Sequence, residues 1–210
     1  YCNITGYSNT GLGANALFEN DSGMDNTAVG ERALYANTAG YKNTAVGRAS
    51  MSLNKTGHNN TAVGYGAAQK NTTGSQNVAV GSYALHCNTV SRNTAVGNSA
   101  LCRNTSGSSN TAIGFSALNR NTVGILNTAM GLCALFSNDS GDQNVAVGSG
   151  ALRCNTRGNF NIGIGSNSLD QNTSGSYNVA IGLEAMFWND SGEQNVAIGH
   201  QAMCCSTTGR

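Results

Sequence analysis

The stretch Asn26-Thr27-Ala28-Val29-Gly30 returns as Asn43-Thr44-Ala45-Val46-Gly47 and again as Asn60-Thr61-Ala62-Val63-Gly64. Its first Asn recurs at 9, 26, 43, 60, 77, 93, 110, 127, 144, 161, 178 and 195. Twelve copies therefore follow one another in steps of 17 residues, with a single step of 16 from Asn77 to Asn93. The shared template is N-T-A-V-G-x-x-A-L-x-x-N-T-x-G-x-x, and its columns are numbered 1 to 17 below. Column 5 is Gly in every copy, column 3 is Ala or Gly, column 9 is mostly Leu or Met, and column 12 is Asn from Asn20 to Asn189.

A repeat of 17 residues is too short for a helical hairpin, which needs more than about 30. Thr-Ala-Val alternates with period two and is rich in β-branched residues, which suits a short strand. Gly in column 5 ends that strand at a corner. Asn-Thr-x-Gly in columns 12 to 15 reads as a turn, because Asn and Gly tolerate positive φ. Each repeat is thus expected to be one coil of two short strands and two turns. The fold expected is all-β: a parallel β-solenoid, or β-roll, of twelve 17-residue coils, forming a single repeat domain over 1–210 with no capping domain. Aliphatic column 4 holds Val29, Val46, Val63, Val80, Val96, Ile113, Val147, Ile164, Ile181 and Ile198, and is expected to stack as the core ladder beside the column 9 leucines. Asn in columns 1 and 12 is expected to form two amide ladders, each side chain donating to one coil and accepting from the other. Small column 3 allows close approach of another sheet, either across the coil or from a second chain.

The charges follow the same register. All 24 Lys, Arg, Asp, Glu and His side chains fall in columns 6, 7, 10, 11, 13, 14, 16 and 17. Desolvating an ionised group is costly, so the uncharged columns face inward or lie in contacts. The 11 basic and 10 acidic residues give a net charge of +1, which offers no reason to expect nucleic acid as a partner. No apolar run approaches the roughly 18 residues of a membrane span, so no membrane insertion is expected.

The repeat does not assemble catalytic or metal chemistry. His58, His86 and His200 occupy different columns on distant coils, and Asp21, Asp139 and Asp190 share a column on distant coils. The Gly-x-Gly occurrences arise from the repeat and precede no helix. No enzyme activity and no cofactor are expected. A column 2 threonine array for binding ice is interrupted by Val or Ile at 78, 145, 162, 179 and 196, and its alternation with column 4 points it toward the expected core. Phe18, Tyr35, Phe136, Phe187 and Trp188, in columns 10 and 11, are candidates for contact with a surface glycan.

Both ends run on template. An uncapped β-stack exposes unpaired backbone groups, so head-to-tail addition into a filament is expected, the alternative being a fragment of a longer protein whose caps were cut away. Seven cysteines bear on this. Cys2 in column 11 and Cys204 and Cys205 in columns 10 and 11 would meet across such a junction, so an inter-subunit disulfide from Cys2 to Cys204 or Cys205 is expected. Cys87 and Cys102, in columns 11 and 10 of successive coils, are the candidate intra-chain pair. Paired cysteines would favour an oxidising, extracellular setting. Nine N-x-S/T sequons are candidate glycosylation sites: Asn3, Asn20, Asn54, Asn59, Asn71, Asn104, Asn138, Asn172 and Asn189. Eight lie in column 12, where the turn itself asks for Asn; Asn59, in column 17, is the best candidate.

The Asn-Thr-Ala-Val-Gly block with its later Ala-Leu and Asn-Thr-x-Gly resembles the left-handed parallel β-roll head of YadA-like trimeric adhesins and the related repeats of viral and phage tail-fibre proteins. The resemblance covers the chain from Asn3 to Gly209. It implies a left-handed solenoid in an extracellular or virion-surface fibre, often trimeric. The function expected is therefore that of a structural fibre subunit, self-assembling head-to-tail with disulfide linkage. Its partner would be itself, as a homopolymer or homotrimer. The alternative is a trimeric adhesin or tail-fibre segment that binds a surface glycan or receptor.

Overall fold

The computed structural model describes residues 3–205. Chain contacts group into two compact units, 1–106 and 107–210. The first holds β1 (Thr10–Leu12), β2 (Thr27–Val29), β3 (Thr44–Val46), β4 (Thr61–Val63), β5 (Val78–Val80) and β6 (Thr94–Val96). The second holds β7 (Thr111–Ile113), β8 (Thr128–Met130), β9 (Val145–Val147), β10 (Ile162–Ile164), β11 (Val179–Ile181) and β12 (Val196–Ile198). Each strand is columns 2 to 4 of one repeat. Within each unit neighbouring strands pair in parallel and in register: Val29 lies beside Val46, Val46 beside Val63, and Val63 beside Val80. In the second unit Val147 pairs with Ile164 and Ile164 with Ile181. The protein is an all-β parallel solenoid with coils 17 residues apart, and no helix occurs among the described residues.

The two amide ladders are present. In column 12, Asn37 Nδ2 donates to Asn20 Oδ1 at 2.8 Å and Asn54 Nδ2 to Asn37 Oδ1 at 2.7 Å. In column 1, Asn43 gives both its backbone N–H (3.0 Å) and its Nδ2 (3.1 Å) to Asn26 Oδ1, and Nδ2 also reaches Gly57 O at 2.8 Å. The second unit repeats both patterns, as at Asn155–Asn138 and Asn161–Asn144. The 16-residue coil keeps the column 12 ladder and the backbone N–H bonds of column 1, while Asn93 Nδ2 turns to Asn88 Oδ1 at 3.1 Å. Val90 O accepts from Asn77 Nδ2 at 2.8 Å and from Asn88 Nδ2 at 2.7 Å, replacing the glycine carbonyl used elsewhere.

Column 4 is not the core, which corrects the expected ladder. Val63, Val80, Val96, Ile113, Ile164 and Ile181 are exposed to 36–38%, Ile198 more so, and Val29, Val46 and Val147 are only half-buried. The stacking holds but the direction is reversed. In a three-residue strand columns 2 and 4 share one face and column 3 takes the other. The coil is so thin that its inner face has room only for Ala28, Ala45, Ala62 and their equivalents, all fully buried. They pack against column 8 alanines and column 9 leucines of the opposite side. The fit leaves little slack: a Cβ on Gly163 would lie 3.1 Å from Ser168 Oγ.

The expected second strand does not form. Columns 7 and 9 both take positive φ, as at Arg32 (59°), Leu34 (49°), Ser99 (56°) and Leu101 (50°), so this side of the coil turns instead of extending. It still bonds from coil to coil, with Leu34 N–H to Ser50 O at 3.0 Å and Ala36 N–H to Ser52 O at 2.9 Å. Left-handed backbone costs a non-glycine residue about 1–2 kcal/mol. Full burial of a leucine returns about 1.5–3 kcal/mol, which is enough to hold column 9 there. Glycine is needed in two columns for different reasons. Gly47 has φ 126°, and a Cβ on it would sit 2.6 Å from Gly64 O. Gly40 has no positive φ, but a Cβ there would meet Asn37 Oδ1 at 2.3 Å, so column 15 is glycine to clear the amide ladder.

Candidate functional site

The largest feature is the outer sheet face of each unit. Columns 2 and 4 point away from the coil interior, so the threonines of column 2 also face outward and not toward a core, contrary to expectation; their interruptions by Val and Ile remain. In the first unit this face carries Thr10, Thr27, Thr44, Thr61, Val78 and Thr94 beside Leu12, Val29, Val46, Val63, Val80 and Val96. In the second, Val145, Ile162, Val179 and Val196 stand beside Val147, Ile164, Ile181 and Ile198. Six strands at about 4.8 Å and three residues at about 3.3 Å make each face roughly 29 Å by 10 Å.

Among the described residues no two cysteines form a disulfide. Cys87, Cys102, Cys133, Cys154, Cys204 and Cys205 are free thiols, so the expected Cys87–Cys102 disulfide is not formed. Their backbones are bonded, Cys87 N–H to Cys102 O at 3.0 Å, but across two different columns, which leaves the thiols one residue out of register. Burial, and then the neighbouring Cys87, push the Cys102 thiol up from its ordinary value. Cys2, the proposed partner of Cys204 or Cys205, lies outside the described residues. Cys204 and Cys205 instead face each other, Sγ to Sγ 3.0 Å, and this contact raises the Cys204 thiol. Burial and then Asp170 raise Cys154.

Seven of the sequons are closed by the fold. Asn20, Asn54, Asn71, Asn104, Asn138, Asn172 and Asn189 are buried at 0–1%. Their Nδ2 groups donate within the column 12 ladder, so no glycan can be attached without dismantling it. Asn59, at φ 56° in an exposed turn, and Asn3 are accessible.

The aromatic residues form inter-coil stacks: Phe18 on Tyr35 at 5.3 Å, Tyr41 on His58 at 4.6 Å and Phe160 on Tyr177 at 4.9 Å. Phe136 lies under the Arg120 guanidinium, and Phe187 meets Trp188 edge-on. His58 is held by Tyr41 and by Ser75 Oγ at 2.9 Å, while His86 sits edge-on to Tyr83, so each imidazole has a local structural role. Among the described residues no three His, Cys, Asp or Glu side chains cluster around one point.

Two cation sites stand out on the edge formed by columns 6, 7, 10 and 11. In the second unit, buried Asp170 accepts two bonds of 3.0 Å from Arg153 Nε and Nη2. That pairing raises the Arg153 guanidinium above its ordinary value. In the first unit a cavity of about 220 Å³ is lined by Arg32, Arg48, Ser52, Tyr65 and Gln69, with Ala49 and Leu53. The residues come from three successive coils and form no linear motif. The signal available in the sequence is column 10, where Ser52 stands between Tyr35 and Gln69. No family model, curated protein or solved structure matches this chain.

Proposed function

We propose that this chain is a structural module of an extracellular fibre in which copies pack side by side through their outer sheet faces. One observation carries the proposal. Columns 2 and 4 are exposed or half-buried on the outer face, yet none of the 24 charged or histidine residues falls in either. Every other outward-facing stretch of the coil admits charge. A surface that excludes charge over six consecutive strands behaves as an interior, and its area, about 290 Å², is near that of the largest apolar patch on a typical monomer, which is often functional. A second copy is the natural occupant, because its own face has the same strand spacing and the same lack of charge. The ladders suit the role, since each coil fixes the next through buried amides that admit no slippage by one column. The extracellular setting rests on the resemblance to adhesin heads and tail fibres.

Negative-stain images of the purified chain test this. Bundles of parallel solenoids are expected; particles one solenoid wide at every concentration would overturn it. The second reading, a trimeric adhesin or tail-fibre segment, is favoured by the solvent-facing aromatic stacks Phe18–Tyr35 and Phe160–Tyr177. It predicts short knobs of defined size in the same images.

A further inference from the structure

The cavity on the edge of the first unit differs from the larger one on the same columns of the second unit in holding two guanidiniums and no carboxylate in its lining. Ser52 forms its floor. This residue is only 5% exposed, and its hydroxyl, bonded to no other described residue, keeps contact with solvent and is open to a ligand oxygen. Two guanidiniums flank it. Arg32 lies 4.9 Å over the Tyr35 ring and has no carboxylate partner among the described residues. Arg48 Nε lies 3.3 Å from Glu31 Oε2 as an exposed ion pair, which leaves its Nη groups to face a ligand. Tyr65 supplies a half-open ring, 44% exposed, and Leu53 an apolar flank. The Gln69 amide completes the wall.

The chemistry these groups share is specific. Guanidiniums take carboxylates in two-point contact. The Ser52 hydroxyl and Gln69 amide suit ligand hydroxyls, and the Tyr65 and Leu53 surfaces suit the C–H face of a sugar ring. The volume, about 220 Å³, is below the roughly 300–1,000 Å³ of sites for larger ligands, and admits one ring. We infer that this cavity binds a carboxylated pyranose, a hexuronic acid unit of a surface polysaccharide. The site uses columns 6, 7, 10 and 11 and no residue of the sheet face, so it succeeds or fails apart from side-by-side packing.

Calorimetric titration of the full chain with methyl glucuronide, methyl glucoside and acetate tests it. The uronide is expected to bind, with the glucoside and acetate each weaker by roughly tenfold or more, the worth of a charge-assisted bond. Arg32→Ala should weaken the uronide by a similar factor. Ser52→Phe should abolish binding while the circular dichroism stays unchanged, because column 10 accepts Phe in other coils, as at Phe18 and Phe136. No uronide binding, equal binding of the glucoside, equal binding of acetate, or full affinity in the Arg32→Ala chain would each overturn the inference. The Arg32 variant, altered at an exposed side chain, decides the matter should the Phe variant fail to fold.

Discussion

In the first unit column 2 reads Thr10, Thr27, Thr44, Thr61, Val78 and Thr94, whereas in the second it reads Thr111, Thr128, Val145, Ile162, Val179 and Val196. The inner layer does not register the change. Ala45 and Ala146, Leu34 and Leu135, and Asn43 and Asn144 are buried alike in the two units. The fold is thus specified by columns 1, 3, 5, 8, 9, 12 and 15, while column 2 is left free to set how greasy the outer face is. Column 4 is aliphatic in both units although no intra-coil packing requires it. That combination, constraint without burial, is what a contact with another copy would impose.

Four comparisons sharpen the contrast between inner layer and outer face, and between the units. The largest effect belongs to the ladders. Asn43→Ala and Asn144→Ala each remove four hydrogen bonds and leave the next Asn backbone N–H buried without its partner, while the glycine carbonyl keeps its bond from the column 12 Asn. At about 1–3 kcal/mol for the orphaned N–H and about 0.5–1.5 kcal/mol for each further bond, each should cost about 3 kcal/mol or more in denaturant unfolding, equally in both units. Unequal losses would show that the inner layers differ after all.

The outer face comes next. Val179→Lys with Ile181→Lys should weaken association by roughly a hundredfold, while Thr44→Lys with Val46→Lys should weaken it by roughly tenfold, because a threonine rank is less costly to hydrate. Light scattering against concentration reads both. Smaller still is the ion-pair contrast. Arg153→Ala leaves the buried Asp170 carboxylate without its cation, holding only the Gln171 amide and the Cys154 thiol, and should cost about 1–2 kcal/mol, below the value for fully buried pairs because Arg153 is half in water. Arg48→Ala, whose partner Glu31 is also exposed, should change thermal stability by less than about 0.5 kcal/mol.

The smallest effect is in thiol chemistry. Burial raises Cys102 in the first unit and Cys154 in the second, so less thiolate is present at a given pH. Both should alkylate more slowly than an unfolded control at pH 8 and catch up as pH rises past the ordinary thiol range. Cys154, with Asp170 adding to its shift, should keep the same sign if Arg153 is removed. Alkylation at control rates in the folded chain would contradict this.

The stacking was legible because Asn, Gly and aliphatic residues return every 17 positions, and a parallel ladder is the only way to place Val29 beside Val46 beside Val63. Which way Val29 points was not legible. Period-two alternation separates two faces without saying which is inner, and size favoured Val over Ala. The deciding quantity is the thickness of the coil, set by left-handed backbone at Leu34 and its equivalents, and nothing local in the sequence announces a leucine at φ 49°. The sequons at Asn20 and Asn54 misled for the same reason, since a turn Asn and an acceptor Asn look alike until burial is known. The Arg32–Arg48–Ser52 cavity was hidden because its residues are 4 and 16 positions apart and meet only after coils stack.

Sedimentation equilibrium of the purified chain tests the role of the outer face most directly. Wild type should sediment at a multiple of 21.5 kDa, and the Ile164→Lys, Ile181→Lys double variant at 21.5 kDa with its β circular dichroism intact. A wild-type mass of 21.5 kDa at every concentration, or a double variant as associated as wild type, would contradict the account.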